Sequence, residues 1–168
     1  KLDCFLVLTC DTVSTLFDSM RALLFIFLFW THVGFSQEPL LDSIRKNIRE
    51  VFQTESVCNS MYESFESTDV SGNNTLIGYK GAVEMGMSRH DSNPFKKMSF
   101  FSEGKKHLEE AINNDKENIE LRFLRLTIQT YLPAFLGYSG SVQSDKDFVL
   151  NNLDSTNEDF RKKVLSFI

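Results

Sequence analysis

Paired cysteines are missing from this chain. It has three cysteines in 168 residues, and Cys4 and Cys10 both precede residue 37. Cys58 is alone in the remainder, so no internal disulfide staples the segment from Gln37 onward. Stability there has to come from packing, and Cys58, inside an apolar-periodic segment, reads as a buried, inert thiol rather than a nucleophile. Strand signals are also scarce: long β-branched alternations and Asn-Gly or Asp-Gly hairpin turns do not occur. Basic residues are outnumbered, 18 Lys and Arg against 23 Asp and Glu, for a net charge of −5. That balance excludes sequence-independent binding to nucleic acid and argues against attachment to anionic lipid. The main apolar run, Ala22 to Trp30, is nine residues long, well short of the roughly 20 that span a bilayer. Neither a Gly-x-Ser-x-Gly elbow nor a Gly-rich loop ending in Lys-Ser or Lys-Thr is present, so no catalytic motif announces a reaction.

What is present begins with Met20 to Gln37, MRALLFIFLFWTHVGFSQ. A basic residue (Arg21), an apolar core (Ala22 to Trp30) and a small-residue exit (Gly34-Phe35-Ser36) are laid out as in a secretory signal peptide. Cleavage is expected after Ser36, so residues 20–36 form the signal and Gln37 begins the exported protein. The competing reading makes Ala22 to Trp30 a buried helix of the folded domain. Residues 1–19 precede Met20 and read as an upstream extension without structure. The expected location is periplasmic or extracellular, with no stable membrane insertion once the signal is removed.

Residues 37–168 read as one α-helical domain. Apolar residues return every three or four positions. Leu40, Leu41, Ile44, Ile48, Val51 and Phe52 form one stripe, and Val57, Cys58, Met61, Tyr62 and Phe65 a second. A third helix is expected over residues 75–89, with Leu76, Tyr79, Val83 and Met87 inward. Gly78, Gly81 and Gly86 cost such a helix about 1 kcal/mol each relative to Ala, which points to close backbone approach to a neighbour. After the break His90 to Pro94, Asn93 suits an N-cap and Pro94 the first helical position. The helix over residues 95–113 turns Met98, Phe101, Gly104, Leu108, Ala111 and Ile112 inward, with Lys105, Lys106, Glu109 and Glu110 mostly opposite. The next, residues 119–132, is apolar on two sides: Leu121, Leu124, Ile128 and Tyr131 on one, Phe123 and Leu126 on the other. It reads as central. Residues 134–144 form a loop that tucks its aromatics onto the helices, and two short helices follow over 145–153 and 158–167. Phe95, Phe100, Phe101, Phe123, Phe135 and Phe148 are assigned to the core, with the alternative that a few of them line an apolar groove, which pattern alone does not separate.

Gly104 to Glu120, GKKHLEEAINNDKENIE, resembles the second helix and exit turn of a tetratricopeptide repeat. Gly104, Leu108, Ala111 and the turn Asp115 to Asn118 occupy the repeat's places, with Lys116 where the repeat usually has Pro. The match covers 17 residues, and the repeat's period of about 34 residues does not recur. The domain also resembles exported all-helical proteins of Gram-negative bacteria. The resemblance implies an all-α, tetratricopeptide-like array of helical hairpins, about five to seven helices in all, with a concave surface for peptides or partner proteins. No binding residue of that family transfers, because the repeat's first helix has no match.

Candidate sites are few. Glu103, His107 and Glu110 can share a helix face, but a metal needs three or four converging ligands, and a solvated face is the plainer reading. His90-Asp91 reads as capping rather than half of a catalytic dyad. Tyr79 and Tyr138, each near glycine, are expected to pack with the hydroxyl on a polar partner, or else to form a recognition patch. Asn73-Asn74-Thr75 satisfies a glycosylation sequon. The reading is therefore a non-enzymatic, exported, monomeric helical module that binds a protein or peptide and uses no cofactor or metal. Tyr79, Lys80, Glu103, His107 and Tyr138 are its possible interaction or pocket residues. The alternatives are an enzyme or small-ligand binder with a pocket among helices 75–89, 95–113 and 119–132, and a purely structural envelope component.

Overall fold

The computed structural model describes residues 37–168; the upstream extension and export signal assigned to residues 1–36 lie outside the described residues. Seven α-helices follow one another, with no strand among the described residues. They are α1 (Gln37–Val51), α2 (Glu55–Glu66), α3 (Asn74–His90), α4 (Pro94–Asn114), α5 (Ile119–Tyr131), α6 (Val142–Asn152) and α7 (Glu158–Phe167), with short 3-10 turns at Ala134–Leu136 and Leu153–Ser155. The chain is an all-α helical array.

Asparagine starts four of the helices, and the reason is local. The Asn73 side chain accepts from Leu76 N at 3.1 Å, Asn93 from Phe95 N at 2.9 Å, Asn118 from Leu121 N at 3.1 Å and Asn157 from Phe160 N at 2.8 Å. Each satisfies an amide that the first turn leaves without an intrahelical partner. His90 serves an end of another kind: its Nε2 lies 2.9 Å from the Val51 carbonyl, where α1 terminates. The pair expected to cap does so, with Asp91 accepting from Asn93 N at 2.8 Å.

Packing centres on α3 and α4, the most extensively paired helices. They cross where Gly81 faces Gly104 and both are buried. A Cβ on Gly81 would stand 2.9 Å from Leu108 N, and one on Gly104 would stand 2.9 Å from Met85 N. Such separations are too short for a side chain, so the expected close backbone approach is met at Gly81, whereas Gly78 and Gly86 face the side chains of Leu121 and of Val51 and Cys58. The main core gathers Ile44 of α1, Cys58 and Phe65 of α2, Leu76 and Val83 of α3, Leu108 of α4, and Leu121 of α5. Burying each large aliphatic side chain stabilises the fold by about 1.5–3 kcal/mol. A second, smaller core lies on the other side of α5, where Phe123 and Leu126 meet Val149 of α6, Leu153 and Val164 of α7. Helix α5 is therefore apolar on two sides because it separates two cores.

Several core assignments are corrected. Met98 is 63% exposed, Tyr131 74%, Phe95 86% and Phe135 85%. Helix α3 ends at His90, and Ser92 to Ser99 are all exposed, so the first turns of α4 project past their neighbours and its apolar spacing continues into solvent. Tyr131 is the final residue of α5, and only Phe167 meets its ring among the aromatics described, at 6.0 Å. Residues 134–144 are not all loop: α6 begins at Val142, three residues ahead of the expected start.

Candidate functional site

Lys80 and Glu84 lie one turn apart on α3; Glu103 and His107 lie one turn apart on α4. The Gly81–Gly104 crossing brings these pairs to one surface. His107 Nδ1 is 2.6 Å from Glu84 Oε2. With Glu84 ionised it can only accept, so the imidazole donates from Nδ1. Glu84 is buried and His107 half-buried. Burial pushes the Glu84 carboxyl up from its ordinary range, and the hydrogen bond and charge of His107 only partly oppose this.

Other groups close around this pair. Lys80 Nζ reaches Glu66 Oε1 at 2.9 Å; desolvation alone would lower its pKa, but Glu66 outweighs it and the net shift is upward. The Tyr62 ring meets Phe100 edge-on at 5.7 Å, and burial followed by the charges of Glu66 and Glu84 raises its hydroxyl pKa. Glu103 stays exposed and accepts from Ser99 Oγ at 2.9 Å. Lys80 of α3 thus joins Glu103 and His107, which the sequence placed on one face of α4, in one neighbourhood. Glu84, Glu66 and Tyr62 complete it. Glu84 escaped notice because it sits between apolar and glycine residues of α3, and its partner is 23 residues away.

Tyr79 and Tyr138 join different assemblies. The buried Tyr79 donates to Glu120 Oε1 at 2.7 Å. The same carboxylate receives Arg45 Nε at 2.8 Å and Nη2 at 2.7 Å, a two-pronged contact from α1 to α5. Burial and the adjoining carboxylate raise the Tyr79 pKa far above the ordinary phenol value. Tyr138 donates to Glu109 Oε1 at 2.5 Å. Glu109 Oε2 takes Arg125 at 2.6 Å, and Arg125 grips Asp145 through Nε at 2.6 Å and Nη2 at 2.8 Å. Arg122 adds a bond to Asp145 at 3.0 Å. This chain joins α4, α5 and α6 between the two cores, so the Tyr138 hydroxyl serves internal structure. Its ring lies 6.2 Å from Phe101, edge-on, with Lys105 Nζ 4.9 Å from its centroid.

The space between α3, α4 and α5 is filled by Ala82, Leu108, Ala111, Leu121 and Leu124. Two open surface depressions among the described residues lie elsewhere. One is bounded by Glu55, Asn59, Met87, His90, Asp91 and Ser92, the other by residues that include Arg45, Glu120, Phe160 and Lys163. Among the described residues, no three His, Cys, Asp or Glu side chains stand close enough to hold a metal ion, and no helix is long and apolar enough to cross a membrane.

Phe95, Met98 and Phe135, assigned first to the core, stand at the surface instead. Their signal was readable: the Asn93-Pro94 start gives α4 a fixed origin, and Phe95 is followed at once by Lys96 and Lys97. Comparison with protein-family models, curated protein sequences and solved structures gives no match to this chain.

Proposed function

We propose that this domain is an exported, non-enzymatic helical module that binds a protein or peptide. The observation that carries the reading is the projecting start of α4, where Phe95 is 86% and Met98 63% exposed, together with Phe135 at 85%. Large apolar side chains in water forfeit about 1.5–3 kcal/mol each that burial would recover. A surface that keeps them there is suited to a partner that covers them. The repeat-like segment Gly104 to Glu120 belongs to the same helix and its exit turn, and its resemblance implies the same class of activity. The test is a photo-crosslinking amino acid placed at Phe95 or Phe135 in the producing cell, with Asp154 as an exposed control. Adducts of defined mass from the first two sites alone are expected. Adducts from none of the sites, or equally from all three, refute the reading.

The buried Glu84 beside His107 favours a second reading, in which a fixed imidazole acts as general base on a small ligand. His107→Gln should then abolish turnover of that ligand while leaving the crosslinks at Phe95 intact.

A further inference from the structure

Between α5 and α6 the chain runs through PAFLGYSGS, residues 133–141, and its backbone has few ties. Among the described residues, the backbone hydrogen bonds of residues 133–140 are local: Leu136 N donates to the Pro133 carbonyl at 3.1 Å, and Val142 N to the Ser139 carbonyl at 3.4 Å. Ser141 already belongs to α6, its carbonyl taking Asp145 N at 2.8 Å. The turn Asp115 to Asn118 shows the contrast. There Asn118 N donates to the Asp115 carbonyl at 3.2 Å, and Asn118 Nδ2 reaches Thr75 of α3 at 3.1 Å. Backbone groups that water already serves do not hold residues 133–140 against the helices.

Side chains supply the attachment, and one supplies most of it. Pro133, Phe135, Gly137, Ser139 and Gly140 are exposed, and Leu136 is half-buried against the main core. Tyr138 is buried, 6% exposed. Its ring stands edge-on to Phe101, the Lys105 ammonium lies over it, and its hydroxyl donates to Glu109. Beside it Gly137 has φ +63°, and nothing stands within 4 Å of the place a side chain would take. That left-handed conformation suits glycine and gives the segment a pivot.

The ground beneath Tyr138 is not fully satisfied. Gln129 is 4% exposed and interacts with the Tyr138 hydroxyl, yet its Oε1 accepts no hydrogen bond from the protein. A buried acceptor without a donor disfavours the closed form. Withdrawal of Tyr138 lets water reach Gln129, while Glu109 keeps its bond from Arg125. Opening therefore gives up one hydroxyl bond and the burial of one ring, and hydration of Gln129 offsets part of that loss.

We infer that residues 133–141 are a strap that opens as a unit while the helices stay folded, with Tyr138 as its latch. Opening bares Phe101 of α4 and the Glu109 carboxylate, and it carries Phe135 away from the place it holds when the strap is closed. A ligand that contacts Phe101 or Glu109 in the open form shifts the equilibrium by its preference for that form. The movement stands on the strap's own contacts and is independent of the protein-binding reading above.

The experiment is timed digestion of the full chain, without denaturant, by a protease that cuts after Phe, Tyr and Leu, with fragments identified by mass. Within residues 37–168 the first cuts should fall after Phe135, Leu136 or Tyr138. Tyr138→Phe keeps the ring and loses the latch bond, so cleavage there should accelerate at least about fivefold, the effect of one such hydrogen bond. Ile44→Ala lowers the stability of the whole fold from the core side of α1, and it should leave the strap rate unchanged, because local opening does not pass through global unfolding. First cuts elsewhere in residues 37–168 overturn the inference. So does a Tyr138→Phe rate equal to that of the parent. Acceleration by Ile44→Ala as large as that by Tyr138→Phe also overturns it, since the strap would then open only when the helices unfold.

Discussion

Gly81 and Gly104 meet backbone to backbone where α3 crosses α4, each buried against the carbonyl oxygen of the other. This contact lets the two most extensively paired helices approach closely enough for Glu84 to reach His107. Replacing either glycine by Ala raises local helix propensity by about 1 kcal/mol, but the added methyl meets backbone rather than a movable side-chain end. Overpacking of this kind costs about 1–3 kcal/mol, occasionally more.

Net destabilisation is therefore expected for Gly81→Ala and Gly104→Ala. Urea unfolding followed by circular dichroism measures it. A midpoint equal to or above that of the parent would show that the helices are not in contact at this crossing.

Asp145 is fully buried and takes both Arg125 and Arg122. Asp145→Ala leaves the Arg125 guanidinium buried with Glu109 alone, and removing one partner of such a pair costs about 3–5 kcal/mol. Tyr138→Phe keeps the ring on Phe101 and removes the hydroxyl's bond to Glu109 and its interaction with Gln129, a loss of about 0.5–3 kcal/mol. The order of the two losses is checked by denaturant titration, and a Tyr138→Phe loss exceeding that of Asp145→Ala would contradict the network.

Glu120 and Glu84 give opposite pH dependences. Burial alone would raise the Glu120 carboxyl, but hydrogen bonds from Arg45 and Tyr79 outweigh it, and its pKa is lowered from 4.5. Its stabilisation is present above the unfolded pKa and is lost as pH falls through the folded value. Glu84 is raised from 4.5, by burial first, so its contribution is present below the unfolded value and lost as pH rises through the folded one. Glu120→Gln should thus be destabilising at neutral pH and converge on the parent in acid. Glu84→Gln should gain on the parent as pH rises from acid to neutral. Thermal melts across that range read both differences, and slopes of the same sign for the two variants would refute the assignment.

Cys58 is buried, and its Sγ lies 3.7 Å from the Val83 carbonyl. Burial, followed by the charge of Glu55, pushes its thiol up to about 11. A chromogenic disulfide reagent at mildly alkaline pH should leave Cys58 unlabelled in the native chain and label it after denaturant is added. Equal labelling rates in the two conditions would show an accessible thiolate.

The helices were legible because their signals are local. Asn93-Pro94 marks a start whether or not anything packs on it, and the spacing Phe101, Gly104, Leu108, Ala111 follows from 3.6 residues per turn. Periodicity misled at Met98, Tyr131 and Phe95 for a related reason. It identifies a helix face but carries no information on where the neighbouring helix stops, and α3 stops at His90. Lys80, Glu103 and His107 could be singled out by residue type. The shared face of Glu103 and His107 was legible too, but the approach of Lys80 and Glu84 was not, because these come from another helix and meet His107 only through the glycine crossing.

That residues 37–168 form helices, and where most of those helices start, follows from neighbours in the chain, and a lone Cys58 leaves no disulfide within that segment. Tertiary structure alone decided that α5 separates two cores, that Tyr138 ties Glu109 into a buried chain ending at Asp145, and that the apolar start of α4 stands in water. Those outcomes depend on which helices end beside which, a relation between residues far apart in sequence that no local spacing contains.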